Sequence, residues 1–280
     1  MSKNPPYTHE RSTNLKKPPP FAIVTGASRG IGAEYARALA GQGYDLLLVG
    51  RDKARLETLR QELLHMSQRE IWMESLDLSQ PRAAQTLYDL ARSYRSEVSL
   101  FINNAGFGRY GDFVDMPMGS IHNMLQLHIN TIVESIRLFL PDMLARQHGD
   151  IITVASVAGF FPIPYMTEYA ATKAFLIAFS EGLARETQDQ GVTIQVCCPG
   201  FTDTDFHQTA RHQPKHIFFA QSPQLVVQTS LQALKSKRTL VTIGWQGRLA
   251  LWISKIIPHR ILMTIAGKAV RQPRTPHLKE

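Results

Sequence analysis

Tyr169 and Lys173 stand four residues apart in the run EYAATKAFLIAFSEGLARE, whose Ala, Leu and Phe content predicts a helix with no Gly-Pro break. Residues i and i+4 share a helix face, so a lysine ammonium there sits near the phenol. A free phenol titrates near pH ~10 and is a poor base at neutrality; a neighbouring cation favours the phenolate and lowers that value. Tyr169 is therefore expected to act as a proton donor or acceptor. Ser156 lies thirteen residues before Tyr169, at the end of the apolar run DIITVAS. That run reads as a buried strand, so the serine hydroxyl is expected at the carboxyl edge of a sheet, where it can hydrogen-bond a carbonyl. A Tyr-x-x-x-Lys pair also arises by chance in many helices, and Tyr165, followed four residues on by Tyr169, is a pair without a lysine. The wider chain decides between chance and chemistry.

Apolar strand-like runs alternate with helical ones from Phe21 onward: FAIVT, IGAEYARALAGQ, DLLLVG, ARLETLRQELLHMS, IWMESLD, PRAAQTLYDLARSY and SLFINN. A long helix around Ile121–Leu144, the strand Asp150–Ser156, the Tyr169 helix, the strand VTIQVCCP, a helix near Pro223–Lys235 and the strand RTLVTI continue the series. The strands are continuously apolar rather than alternating, which is the pattern of a parallel sheet covered on both faces. The fold expected is α/β, a Rossmann-like doubly wound parallel sheet of about seven strands in one domain over 21–246. Residues 1–20 read as a flexible tail and 247–280 as a basic amphipathic segment.

Length and composition agree with one sizeable core, 280 residues of which 44% are hydrophobic. The net charge of +8 is concentrated in residues 1–20 and beyond Gly247. No basic stripe interleaved with aromatics crosses the middle, so nucleic acid is not an expected partner. Cys197 and Cys198 are adjacent in a strand and point to opposite faces, which excludes a disulfide framework; the chain has no metal-ligand spacing. Free buried thiols fit a reducing compartment, and a cytoplasmic location is expected. The first residues lack a signal-peptide core, and no window reaches the ~18 apolar residues of a membrane span.

The first strand-to-helix turn is TGASRGIG. Gly26 suits the tight turn, Gly30 the approach of backbone to a pyrophosphate, and Gly32 close helix-on-sheet packing. The spacing G-x-x-x-G-x-G departs from G-x-G-x-x-G.

Together TGASRGIG (25–32), NNAG (103–106), Asn130, Ser156, Tyr169-x-x-x-Lys173 and CPG (198–200) resemble the compact branch of the short-chain dehydrogenase/reductases, in order and spacing, over roughly residues 20–245. The resemblance implies Tyr169 as general acid/base, Lys173 as the group that lowers its pKa and holds the nicotinamide ribose, Ser156 as orienter of the substrate oxygen, and Asn130 as anchor of a proton-relay water. It implies that Ser28, Arg29 and Ile31 join the three glycines around the cofactor. Asp77 and Leu78 are implied near the adenine, Asn104, Ala105 and Gly106 on the adenine-ribose side, and Pro199, Gly200 and Thr202 near the nicotinamide. Asn130 reads equally well as a cap of a local helix irregularity, and Asp77 as a turn residue.

The second strand ends Leu48-Val49-Gly50-Arg51, without the acidic residue that a NAD site uses on the ribose hydroxyls. Asp45 lies at the wrong end and Asp52 where it would cap the next helix. Arg29 and Arg51 instead set two cations near helix N-termini, which suits the 2′-phosphate of NADP. On the substrate side, VAGFFPIPYMTE is almost uncharged, favouring a small hydrophobic carbonyl or alcohol; the run after Gly200, with His207, His212 and His216, reads as a substrate loop. The pattern is similar to long-chain 3-ketoacyl reductases and hydroxysteroid dehydrogenases. The expected function is an NADP(H)-dependent oxidoreductase, the rivals being a non-catalytic dinucleotide sensor and a sugar-nucleotide epimerase or dehydratase, whose larger C-terminal domain this chain lacks.

Ala171, Ala174, Ala178 and Gly182 put small residues along the Tyr169 helix, and the resemblance implies a homo-oligomer built there or, alternatively, packing within the subunit. In 247–280, Leu249, Trp252, Ile253, Ile256 and Ile257, then Ile261, Leu262, Ile265 and Ala269, recur at helical spacing, and seven basic residues face one acid, Glu280. This segment is expected to help close an apolar site. It also suits peripheral contact with an anionic membrane surface, against the plainer reading of a core-packing helix pair.

Overall fold

The computed structural model describes residues 18–202 and 220–270. Seven strands, β1 (Phe21–Thr25), β2 (Asp45–Gly50), β3 (Ile71–Ser75), β4 (Leu100–Asn103), β5 (Gly149–Val154), β6 (Val192–Cys198) and β7 (Leu240–Thr242), form one parallel sheet in the order β3-β2-β1-β4-β5-β6-β7. The chain starts at the centre, winds out to β3, then returns beside β1 and winds the other way. The reversal between β1 and β4 opens a crevice at the strands' carboxyl ends, the place where such sheets bind ligands.

Among the described residues, six helices cover the sheet: α1 (Gly30–Gly41), α2 (Lys53–Met66), α3 (Ala83–Tyr94), α5 (Thr131–Ala145), α6 (Thr167–Glu186) and α7 (Pro223–Lys235), with the shorter α4 (Met118–Leu125) before α5. Alternate strand residues feed two cores. Ala22, Val24 and Cys197 pack with Leu39 of α1, Leu56 of α2 and Val227 of α7. Phe21, Ile23 and Cys198 pack with Leu87 of α3, Phe139 of α5 and Leu176 of α6. The two thiols thus face opposite sides, as the strand period requires. Each fully buried Leu or Phe of these cores contributes about 1.5–3 kcal/mol relative to an exposed one. Asp52 caps α2 by accepting from the Arg55 N–H at 3.1 Å.

Two elements differ from the sequence expectation. The helix expected over 121–144 is interrupted: Gln126–Asn130 form a π-helical turn between α4 and α5. After β7 the chain enters α8 (Gly244–Ile256) and α9 (His259–Val270), so residue 247 lies inside a helix rather than at a boundary. Residues 1–17, residues 203–219 with His207, His212 and His216, and residues 271–280 lie outside the described residues.

Candidate active site

The carboxyl ends of the strands bring together one cleft of ≈ 360 Å³. Lining it are Gly26, Ser28, Arg29, Gly30 and Ile31 from the β1 turn, Arg51 after β2, Asp77 and Leu78 after β3, and Asn104, Ala105 and Gly106 after β4. Ser156 after β5, Tyr169 and Lys173 on α6, and Pro199, Gly200 and Thr202 after β6 complete it. Of the residues named from the sequence, Gly32 and Asn130 are not in its lining.

Gly32 acts from behind the turn. A Cβ there would stand 2.2 Å from the Gly26 carbonyl oxygen, so only glycine lets α1 start this close to the turn. Gly26 has φ +65° and an added Cβ would meet Asn104 Nδ2 at 2.8 Å. Asn104 clamps the turn to β4: its amide donates to the Thr25 carbonyl at 2.9 Å and the Gly26 carbonyl at 3.2 Å, and its N–H donates to Thr25 Oγ1 at 2.9 Å. The result is a shallow backbone cradle at the α1 N-terminus, with Arg29 and Arg51 exposed at its rim. That donor set fits a dinucleotide pyrophosphate, and the rim cations fit a further phosphate. Asp77 is engaged as a turn residue as well, accepting from the Ser79 N–H and hydroxyl at 3.0 and 2.7 Å and from Gln80 Nε2 at 3.2 Å. Burial alone would raise its pKa; these hydrogen bonds carry it below the ordinary carboxylate value.

Tyr169 is 7% exposed and Lys173 4%. Lys173 Nζ donates to the Val154 carbonyl at 2.9 Å and lies 5.6 Å from the Tyr169 ring centre. Ser156 sits at the end of β5, where its Oγ accepts from the Ala158 N–H at 3.1 Å, leaving its proton for the cleft or the phenol. The electrostatics differ from the sequence expectation. Burial pushes the Tyr169 phenol well above 10, and the influence that lowers it is the Ser156 hydrogen bond rather than Lys173. Burial also pulls Lys173 itself down, to about 8. Taking both groups out of water disfavours both charged forms at once.

Asn130 is the correction. Its side chain is exposed and donates to Gln126 Oε1 at 2.9 Å on the same π-helical turn, so it does not reach the cleft. Two residues earlier His128 turns inward and is 0% exposed. Its Nε2 accepts from the Phe107 N–H at 3.1 Å, its Nδ1 meets Thr172 Oγ1 at 3.0 Å, and its ring stands edge-on to Tyr169 with centres 5.9 Å apart.

The substrate side is apolar. Met124, Ala158, Ile163, Met166, Tyr169 and Ala170 form a third cluster, with Phe107, Tyr110 and Phe161 against it and Ala266 and Val270 of α9 packed behind. Tyr165 is held at φ +67° in this wall, and its carbonyl accepts from the Gly111 N–H at 3.0 Å. Sequence reasoning missed Phe107, Tyr110 and Leu127 in the lining, and missed Gln221. Gln221 accepts from the Gly200 N–H at 3.1 Å and donates to the Ile243 carbonyl at 2.9 Å, fixing the Pro199-Gly200 turn. Among the described residues, no cluster of His, Cys, Asp and Glu is suited to a metal ion.

A family model described as short chain dehydrogenase matches residues 20–215. The chain is similar to the very-long-chain 3-oxoacyl-CoA reductase of Anas platyrhynchos, at 29% identity over 274 residues, 93% of this chain and 83% of the relative. It is similar in structure to a short-chain dehydrogenase from Sphingobium yanoikuyae in complex with NADPH, with TM-score 0.78 and 28% identity over 93% of this chain and 100% of the other. The bulky-bulky ketone specific alcohol dehydrogenase from Comamonas testosteroni gives TM-score 0.73 and 27% identity over 93% and 99%.

Proposed function

The chain belongs to the short chain dehydrogenase family, and from that premise we propose that it is an NADP(H)-dependent oxidoreductase reducing the ketone of a long apolar acyl substrate. One observation carries the reading. Ser156, Tyr169 and Lys173 converge against an apolar wall at one end of the cleft, and Arg29 and Arg51 stand at its other end. The 3-oxoacyl-CoA reductase and bulky-ketone dehydrogenase among its relatives support a hydrophobic ketone.

The β1 turn and the α1 N-terminus would hold the cofactor's pyrophosphate, Arg29 and Arg51 the 2′-phosphate, and Lys173 the nicotinamide ribose. Bound there, the cofactor supplies the hydride. The remaining work belongs to the chain. The Ser156 hydroxyl donates to the substrate oxygen and orients it, while Tyr169 gives that oxygen its proton as negative charge develops. The apolar wall of Phe107, Tyr110, Ala158 and Met166 would exclude water from the reacting centre. Burial raises the phenol's pKa further, so Tyr169 carries its proton at neutral pH, the state in which it can give that proton to a carbonyl oxygen. A dinucleotide sensor would need no such donor beside a substrate wall.

The finer partners follow from exposure. Ala171, Ala174, Ala178 and Gly182 are all exposed on α6, beside Phe175 at 39%, which supports a second copy packing on this helix rather than packing within the subunit. On α8, Trp245, Leu249, Trp252 and Ile256 make an exposed stripe at i, i+4, i+7 and i+11, continued on α9 by Ile261 and Ile265. Arg248, Lys255, Arg260 and Lys268 flank it, and 244–270 contains no acid. This surface suits peripheral contact with anionic lipid at the cytoplasmic side of a membrane. No helix among the described residues is long and apolar enough to cross one.

The test is NADPH consumption with 3-oxoacyl-CoA thioesters of graded length beside short ketones and aldehydes. Turnover rising with chain length supports the reading; turnover confined to short polar carbonyls, or none with NADPH bound, overturns it.

A further inference from the structure

His128 is wholly buried between the loop after β4 and α6, on the π-helical turn, a distortion that recurs at functional sites. Its hydrogen bonds fix where its proton lies. The Phe107 N–H is an obligate donor, so Nε2 offers its lone pair and the single ring proton belongs on Nδ1. Nδ1–H then donates to Thr172 Oγ1 at 3.0 Å, and that hydroxyl spends its own proton on the Tyr169 carbonyl at 2.8 Å. The chain runs one way, from the Phe107 amide through the imidazole and Thr172 to the backbone of Tyr169.

We propose that His128 is the positioning residue of this active site: a neutral imidazole, protonated on Nδ1, that fixes Tyr169 against the Gly106–Phe107 edge of the cleft and moves no proton. Both ring nitrogens are occupied and no surface is open to solvent, so the ring has no capacity to anchor the relay water that Asn130 is too exposed to hold. A second ring proton would point at the Phe107 N–H. Lys173 and Tyr169, the ionisable groups facing the ring from α6, offer it no carboxylate, and burial first, then the Lys173 charge, holds its pKa well below 6.5. The ring also fills its place: a Cβ on Gly106 would stand 3.1 Å from Nε2, and the Phe107 and Tyr169 rings each pack on it in a T-shaped pair with centres 5.7 and 5.9 Å away.

The inference rests on Tyr169 as the proton donor of the proposed function, and its first test is independent of turnover. In ¹⁵N-histidine spectra of the full chain, assigned by loss in His128→Asn, His128 is expected as the neutral Nδ1–H tautomer, unchanged when exposed imidazoles ionise near pH ~6.5. An Nε2–H tautomer, or titration at the ordinary value, overturns the proposal. The second test is kinetic. Thr172→Val is expected to lower kcat by about tenfold to 10²-fold with NADPH affinity unchanged, since a small misplacement of the donor suffices, and Thr172→Ser to restore it. The pH profile of kcat in His128→Gln is expected to drop in height and keep its shape. A changed shape assigns proton transfer to the ring, and unchanged kcat in both Thr172→Val and His128→Gln removes the positioning role. Full turnover in Tyr169→Phe would instead overturn the proposed function, leaving the tautomer result to stand.

Discussion

The Lys173 ammonium nitrogen stands 5.6 Å from the centre of the Tyr169 ring and is anchored on the Val154 carbonyl at 2.9 Å, both side chains held inside the protein by one face of α6. The arrangement makes the lysine, not the tyrosine, the group that titrates first on the alkaline side. Burial draws Lys173 to about 8 and pushes Tyr169 far above it.

The pH dependence follows with a definite sign. In its proposed role Lys173 acts as a cation, a form that predominates well below pH about 8 and is lost as pH rises through that value. The kcat/KM for NADPH-driven reduction, which reports free-enzyme groups, is expected to fall above pH about 8. Lys173→Met should lose most activity and this alkaline limb with it. A flat profile to pH ~10, the free-lysine range, would mean that Lys173 keeps an ordinary pKa.

Arg51 borders the cofactor cleft where β2 ends without an acid. Arg51→Ala is expected to weaken NADPH by about 1.5–3 kcal/mol, the worth of a charge-assisted hydrogen bond, and NADH by far less. Fluorescence titration of both nucleotides decides it, and equal losses would remove the arginine from phosphate recognition.

Asn130 provides the contrast to His128. Its exposed amide donates to Gln126 on the π turn, so Asn130→Ala should alter stability and activation energy by no more than ~0.5 kcal/mol, about twofold in kcat. A loss of a hundredfold would show that the side chain reaches the site during turnover.

The contrast also shows where the sequence was readable. Cys197 and Cys198 on opposite faces, Asp52 as a cap and the cradle at Gly26 all follow from local periods and turn chemistry, so they could be read directly. The π turn could not. One extra residue in a turn leaves the apolar pattern of 121–144 nearly unchanged, yet it decides whether position 128 or 130 faces Tyr169. Gln221 was equally hidden, because its partners Gly200 and Ile243 lie some twenty residues away on either side. The electrostatics of Tyr169 needed burial as well as spacing: a cation at i+4 was visible, its own desolvation was not.

The stripe on α8 predicts a salt-sensitive association. Trp252→Glu, at a residue 60% exposed, should abolish co-sedimentation with vesicles containing anionic lipid while leaving NADPH affinity unchanged. Wild-type protein that ignores such vesicles at low salt would refute the surface contact.

The most direct measurement of the central claim is turnover of Tyr169→Phe, which keeps the buried ring and removes the proton that Ser156 and the cleft surround. With NADPH and a long-chain 3-oxoacyl-CoA, kcat is expected to fall by ~10²–10⁴ while NADPH binds as in the wild type. Turnover near the wild-type rate would contradict the account, because the proton would then reach the substrate oxygen from elsewhere.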